Sequence, residues 1–343
     1  MLVIMKPDAN ENQIQQVEAR ALELGYVPHR IPGRNRMSVG IEGNGDSDDI
    51  LNLEVIPGVE RVVPVAQPFK LASRETNPDN TVIDVNGVRF GDGNVVMIAG
   101  PCAVESEDQT MRIAEIVLER GAQMLRGGAY KPRTSPYSFQ GLGEKGLGIL
   151  AKAREKTGLP FVTEVLDHNN AELISHYANM LQIGTRNMQN FILLKEVGKL
   201  GKPVLLKRGM SATLVETLMS AEYLISHGSP EVVICERGVR TFSSHARNTL
   251  DISVIPALKR VSHLPIIIDP SHSSGHRYSV IPHSLAGIGA GADGIIVDVH
   301  HKPEEALCDG PQALLPEQFS ELMRMARGVA KGLGKTIGTD RSI

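Results

Sequence analysis

Residues 126–143, RGGAYKPRTSPYSFQGLG, carry Arg126, Lys131 and Arg133 on a backbone punctuated by glycine and proline, directly after the apolar run 122–125. Glycines let a backbone pass close to a ligand, Pro132 and Pro136 stiffen the path, and fixed charges beside Thr134 and Ser135 suit phosphate or carboxylate oxygens. The stretch reads as an anion clamp at a strand end. Other apolar runs finish the same way, in Gly184-Thr185-Arg186, in Lys207-Arg208 and in Arg237. Arg126, Lys131, Arg133, Arg186, Lys207 and Arg237 exceed what a single phosphate needs, which points to two anionic substrates or to one ligand with several anionic groups. Glu164 and Asp269 can absorb part of that charge as structural ion pairs, but not all of it. A second set, Cys102, His272, Asp298 and Asp309, offers one thiolate, one imidazole and two carboxylates. Mixed S/N/O donors suit a catalytic divalent ion with an open position, whereas a structural zinc site would use more sulfur at C-x-x-C spacing. Spacing alone leaves open the plainer roles: Cys102 as a small buried hydrophobe, His272 as a satisfied polar group, Asp309 as a cap. Cys235, inside an apolar run, reads as core, and Cys308 as an exposed loop thiol.

These groups lie far apart in the chain, so the fold must gather them. After residue 93, short apolar runs alternate with helical stretches. The strand candidates are 95–99, 122–126, 160–164, 179–183, 203–207, 231–236, 265–269 and 294–298, with helices such as 106–120, 211–226 and 316–333 between or after them. Eight βα repeats with near-continuous apolar strands predict a parallel barrel, since an antiparallel sheet would alternate polar and apolar residues. All eight strand ends of such a barrel face one mouth, where the cations and the candidate metal ligands converge. An open doubly wound sheet would show G-x-G-x-x-G after an early strand; GPCAVES follows residues 95–99 instead. Asp298 and His300 are two apart on a strand and share a face, which places His300 to orient the Asp298 carboxylate.

Ahead of the barrel, strands at 2–5, 27–31, 37–41 and 59–65 and helices at 11–24 and 47–54 give the order βαββαβ, the split arrangement of a ferredoxin-like module. Residues 1–66 form this module, 67–80 a polar linker, and 81–343 the barrel, opened by a hairpin around Asn86-Gly87. The module pairs no nucleophile with a base; packing and effector binding both fit it. The net charge of -3 and an aromatic content of 4% without Trp argue against nucleic acid as a partner. Three cysteines make no disulfide framework, and no apolar run reaches membrane-spanning length, so a cytoplasmic, membrane-free protein is expected.

The clamp is similar to the KPRTS signature of 3-deoxy-D-arabino-heptulosonate 7-phosphate (DAHP) synthases, and the similarity continues through IAGPC, QIGTRN, LLKRG, CERG, RNTLD, DPSHSSG and ALCDG. It resembles the branch with an N-terminal ferredoxin-like regulatory domain. The related 3-deoxy-D-manno-octulosonate 8-phosphate (KDO8P) synthases have an Asn in place of the Pro-Arg wording at 132–133. The resemblance implies a (β/α)8 barrel condensing phosphoenolpyruvate with erythrose 4-phosphate at the head of the shikimate pathway, with one divalent ion (Mn, Fe, Co or Zn) on Cys102, His272, Asp298 and Asp309. It assigns phosphoenolpyruvate to Arg126, Lys131, Arg186, Lys207 and Arg237, with Gly184 and Thr185 beside them. Arg133 and Thr134, with Ser135, would grip the aldose phosphate. Lys131 and Glu164 are the candidates for proton handling. Asp269 and His300 stand behind the metal ligands. Two features depart from the family: Asp298 stands where Glu is usual, and Cys308 where Ser is commoner. Phenylalanine or tyrosine is implied as effector, with His29 as a contact; Ile31 sits where tyrosine-responsive members carry a hydroxyl. A homo-oligomer, a tetramer, is implied as well. Readings outside this resemblance are a Schiff-base aldolase using Lys207, a KDO8P-type condensation with a five-carbon aldose phosphate, and a non-catalytic anion sensor.

Overall fold

A computed structural model of the chain describes residues 1–33, 36–42, 52–63 and 68–338. Contacts divide it into two units, Met1–Asn80 with Arg260–His263, and Thr81–Lys259 with Leu264–Ile343.

In the first unit, strands β1 (Leu2–Met5), β2 (Val27–Pro32), β3 (Met37–Glu42) and β4 (Val59–Val63) form an antiparallel sheet in the order β2-β3-β1-β4. The helix Glu11–Glu23 begins in a capping box, Asn10 accepting from the Gln13 backbone while the Gln13 side chain accepts from that of Asn10. Its buried residues Ile14, Val17 and Ala21 pack with Val3, Met5, Val39 and Ile41 of the sheet. This is the expected ferredoxin-like arrangement. Of the helix expected over 47–54, residues 47–51 lie outside the described residues and 52–54 are helical. Residues 64–65 of the expected last strand and residue 67 of the expected linker also lie outside them. The rest of that linker buries Phe69, Leu71 and Ala72.

The second unit opens with the hairpin β5 (Ile83–Val85) and β6 (Val88–Phe90). Its turn residues, Asn86 at φ 52° and Gly87 at φ 88°, are both left-handed, as a two-residue type I′ turn requires. Eight parallel strands then close into a barrel: β7 (Val96–Gly100), β8 (Met124–Arg126), β9 (Phe161–Val165), β10 (Met180–Ile183), β11 (Val204–Lys207), β12 (Val232–Glu236), β13 (Ile266–Ile268) and β14 (Gly294–Asp298). β14 pairs with β7, from Gly294↔Val96 to Asp298↔Gly100, which completes the ring. Val96, Ile98, Met124, Val162, Met180 and Val233 share one core with Ile83, Val85 and Phe90, so the hairpin plugs the barrel at the strands' N-terminal end. The opposite, C-terminal mouth stays available for chemistry. Among the described residues, no helix is long and apolar enough to cross a membrane.

Candidate functional site

At the C-terminal mouth, Cys102, His272, Asp298 and Asp309 each present one donor atom, and the four atoms lie within 4.8 Å of one another. Cys102 follows β7 and Asp298 ends β14, strands that are hydrogen-bonded neighbours, so a separation of nearly two hundred residues disappears. His272 comes from a single-turn helix, Pro270–Ser274, that starts after β13. Asp269 caps this turn: its Oδ1 accepts from the His272 backbone at 2.9 Å and lies 3.0 Å from His272 Nδ1. That contact fixes the ring and turns Nε2 inward, 3.6 Å from Oδ2 of both Asp298 and Asp309 and 3.7 Å from Cys102 Sγ. Asp309 has φ 55°, a left-handed conformation that Asp tolerates better than most residues, and in it the carboxylate comes within 3.0 Å of Cys102 Sγ.

Charges around the cluster ionise Cys102 and Asp309, the forms a metal needs, and keep His272 protonated until an ion displaces its proton. The hydrogen bond from Cys308 and the charges of Lys131 and Arg126 hold the Cys102 thiol well below its usual range, against burial. Asp309 is lowered, burial being overcome by His272. Asp269 is held well below the carboxylate range in spite of burial, by His272 and Lys207. His272 rises to about 9: burial opposes the shift, and the Asp269 charge drives it. One soft sulfur, one imidazole nitrogen and two carboxylates, buried or half-buried, make a donor set that fits a catalytic divalent ion.

The six cations divide by partner. Lys207, buried, pairs with Asp269, and Arg126, buried, pairs with Asp298. Lys131 Nζ lies 3.0 Å from Cys102 Sγ and donates to the Cys102 carbonyl at 3.1 Å. Arg133 Nη1 is 2.8 Å from Cys308 Sγ. Among the described residues, Arg186 and Arg237 have no carboxylate in ion-pair range, although Arg237 is buried. Positive charge is therefore left over at the mouth. Thr185 and Arg186 line a cavity of about 230 Å³ together with Gly209 and Arg240. Thr134 and Ser135 are exposed on the clamp.

Several sequence expectations need correction. His300 does not orient Asp298: its Nδ1 accepts from the Lys302 backbone at 3.0 Å and its Nε2 faces Glu105 at 3.8 Å. β14 ends at Asp298, so the strand parity behind that expectation no longer applies by residue 300. Gln312 takes the place instead, its Nε2 donating to Asp298 Oδ2 at 3.0 Å. Among the described residues, Glu164 pairs with no cation; its Oε2 accepts from Gln182 at 3.3 Å. Cys308 is buried rather than exposed, 3.7 Å from Cys102 Sγ. Arg208, at the end of β11, is spent on Glu236 and Asp251 at 2.9 and 2.8 Å. Sequence reasoning missed Gln312 and Arg240. Arg240 follows Arg237 by one helical turn's spacing in a cationic loop, a usable signal; for Gln312 there was none.

Comparison with known proteins agrees with this geometry. A family model described as the DAHP synthetase I family matches residues 75–333, and one described as the DAHP synthase ferredoxin-like domain matches residues 1–67. The phospho-2-dehydro-3-deoxyheptonate aldolase of Thermotoga maritima is 48% identical over 334 residues, covering 97% of this chain and 99% of the relative. A 2-dehydro-3-deoxyphosphooctonate aldolase of Syntrophobacter fumaroxidans is 30% identical over 273 residues, 74% of this chain and 94% of that one. The crystal structure of the Thermotoga maritima DAHP synthase superposes with a TM-score of 0.79 at 47% identity, covering 98% of this chain and 99% of that chain.

Proposed function

The chain belongs to the DAHP synthetase I family and is an enzyme of the DAHP synthase class, and on that premise we propose that it joins phosphoenolpyruvate to D-erythrose 4-phosphate with the help of a divalent ion. Water enters and phosphate leaves, giving 3-deoxy-D-arabino-heptulosonate 7-phosphate. The observation that carries the reading is the meeting, at one barrel mouth, of a four-donor cluster with a set of cations of which Arg186 and Arg237 meet no carboxylate among the described residues.

When bound on Cys102, His272, Asp298 and Asp309, the ion would polarise and orient the aldehyde oxygen. The chain's own groups do the rest. Arg126, Arg186, Lys207 and Arg237, beside Gly184 and Thr185, hold the carboxylate and phosphate of phosphoenolpyruvate, while Arg133, Thr134 and Ser135 hold the phosphate of the aldose. With both substrates fixed, the methylene carbon of phosphoenolpyruvate faces the aldehyde carbon and the bimolecular step becomes local. Lys131, whose ammonium touches the donor cluster, supplies the proton to the aldehyde oxygen as the new bond forms. Glu164, packed against Gly184, takes the proton of the water that adds to the cationic centre left behind. The surrounding guanidinium groups then stabilise the departing phosphate. Lys207 is a poor Schiff-base nucleophile here, because its Nζ is engaged in a buried ion pair with Asp269.

Metal-reconstituted enzyme is to be assayed for phosphoenolpyruvate consumption and phosphate release with four- and five-carbon aldose phosphates. Turnover with erythrose 4-phosphate, abolished by a chelator, is expected. Preference for the five-carbon substrate would overturn the substrate assignment, and turnover that survives chelation would overturn the metal. The ferredoxin-like domain supports regulation, and phenylalanine or tyrosine is the proposed effector at residues 1–66. There His29, on β2, lies 3.3 Å from Glu42 and is placed to exchange that contact for an amino-acid ligand.

A further inference from the structure

We infer that Arg247 is a positioning residue for the metal centre: through the amide of Gln312 it fixes the Asp298 carboxylate, and through the His272 carbonyl it holds the turn that carries the imidazole. The inference rests on the metal-centre reading given above and leaves its four donors unchanged. The loop after β12 doubles back, Val239 and Thr249 exchanging backbone hydrogen bonds of 2.9 Å. That bridge lays residues 247–248 along the turn Pro270–Ser274, where the backbone N–H groups of Arg247 and Asn248 donate to the Ser274 and Ser273 carbonyls at 3.0 Å. With its backbone so anchored, Arg247 reaches the donor cluster from outside. Its Nη2, which carries two hydrogens, donates to the His272 carbonyl at 3.1 Å and to Gln312 Oε1 at 3.2 Å, and its Nη1 stands 3.9 Å from Asp309 Oδ1. One guanidinium thus reaches, directly or through Gln312, three of the four donor residues.

Gln312 gives this contact its chemical consequence. The residue is buried, and its Nε2 donates to Asp298 Oδ2, the carboxylate oxygen that faces His272 Nε2 at 3.6 Å. The two ends of an amide are nearly equal in shape and opposite in polarity, so a Gln beside a carboxylate can present either a hydrogen-bonding N–H or a repelling oxygen. A guanidinium has donors and no acceptor. With Arg247 in place only Oε1 can face it, and the N–H is left for Asp298. Without the guanidinium the amide loses the contact that sets its direction, in a dry site where a misdirected oxygen is costly. The ion pair with Asp309 is long and its Arg247 side chain 46% exposed, so it contributes little. Charge alone acts in the opposite sense: a cation beside a divalent ion repels it, and its removal would tighten metal binding. Positioning and plain electrostatics therefore predict changes of opposite sign.

The test measures metal affinity apart from turnover. Full-length metal-free protein is titrated with Co(II), and binding is followed by the visible absorption of the bound ion and by competition with a chromophoric chelator. Arg247→Met keeps the apolar stem and removes the guanidinium; Gln312→Met keeps the length and removes the amide. Each should weaken Co(II) binding by about 10- to 100-fold, the range for groups that orient metal ligands, and alter the absorption envelope. The double variant should about equal the weaker of the two single variants, because Arg247 acts through Gln312. Arg247→Lys keeps the charge without the fork that reaches two oxygens, and it should stay weakened. Unchanged or tighter binding in Arg247→Met, full recovery in Arg247→Lys, or losses that multiply in the double variant each overturn the inference and leave the metal centre standing. A wild type that binds no Co(II) overturns both. Arg247 is exposed enough for its variants to fold, so they decide the matter even if Gln312→Met does not fold.

Discussion

Gly184, just past the end of β10, offers a direct test of Glu164 as the proton acceptor. A Cβ at position 184 would fall on the Glu164 carboxylate, overlapping Oε1 and lying 2.8 Å from Cδ. Carbon–carbon contact needs about 3.5 Å, so in Gly184→Ala the carboxylate must retreat by about 0.7 Å at Cδ and further at the oxygen. Backbone strain adds nothing, because φ −69° and ψ 156° are ordinary for alanine. The atoms that yield are the far end of a flexible side chain held by one hydrogen bond, from Gln182 at 3.3 Å, so folding stability should hardly change. Position changes instead, and a displacement of about 1 Å in a catalytic group costs on the order of 100-fold in rate, equivalent to about 2.7 kcal/mol of barrier. Steady-state kinetics should show kcat reduced by that factor, with the melting temperature within a degree or two of the wild type. Glu164→Gln should produce a comparable loss, and the double variant little more than either single one, since both remove the same function. A kcat within threefold of wild type in a folded Gly184→Ala protein would refute the assignment of Glu164.

Arg133→Ala removes a charge-assisted contact to the aldose phosphate, worth about 1.5–3 kcal/mol; it should raise KM for erythrose 4-phosphate roughly 10- to 100-fold and that for phosphoenolpyruvate far less, and equal effects on both would contradict the assignment. Phenylalanine or tyrosine should inhibit the full-length enzyme and leave a protein lacking residues 1–66 unaffected; an intact enzyme indifferent to both amino acids would make the domain structural. Acid should weaken the first unit through His263, whose Nε2 lies 2.7 Å from the Leu71 carbonyl and whose pKa burial brings down from 6.5 to about 4. The folded-state value is depressed, so its stabilising effect is complete above pH 6.5 and is lost as pH falls from 6.5 toward 4, by up to about 3 kcal/mol. Denaturant unfolding at several pH values should show this slope, flattened in His263→Gln; an unchanged slope would assign the acid sensitivity elsewhere.

The eight barrel strands were legible because each is a short apolar run with a charged or metal-competent residue at or shortly after its end, and burial on both faces leaves no polar alternation to confuse the reading. The ferredoxin-like order was legible for a related reason: a helix with Ile14, Val17 and Ala21 buried at helical spacing separates short apolar strands. What sequence could not supply was the partner of each charged group. Arg126 and Lys207 read alike, as strand-end cations, yet each is closed by a carboxylate at another strand's end, Asp298 and Asp269, whereas Arg237 meets none among the described residues. His300 was misjudged because parity was carried past the last residue of β14, where the chain turns and Gln312 arrives from a later loop. Cys308 was misjudged because a loop position implies exposure only when no neighbouring loop covers it, and here Arg133 of the clamp lies against its sulfur. Both misreadings, of His300 and of Cys308, concern contacts made in the loops beyond the strand ends. A barrel fixes which residues reach the mouth through strand register, which the apolar pattern encodes; the pairing among them is set by loop paths, which no short-range pattern encodes. Differences in substrate grip within this fold are therefore expected to arise from residues such as Gln312 and Arg240, which lie off the strands, with the strand-borne groups left in place.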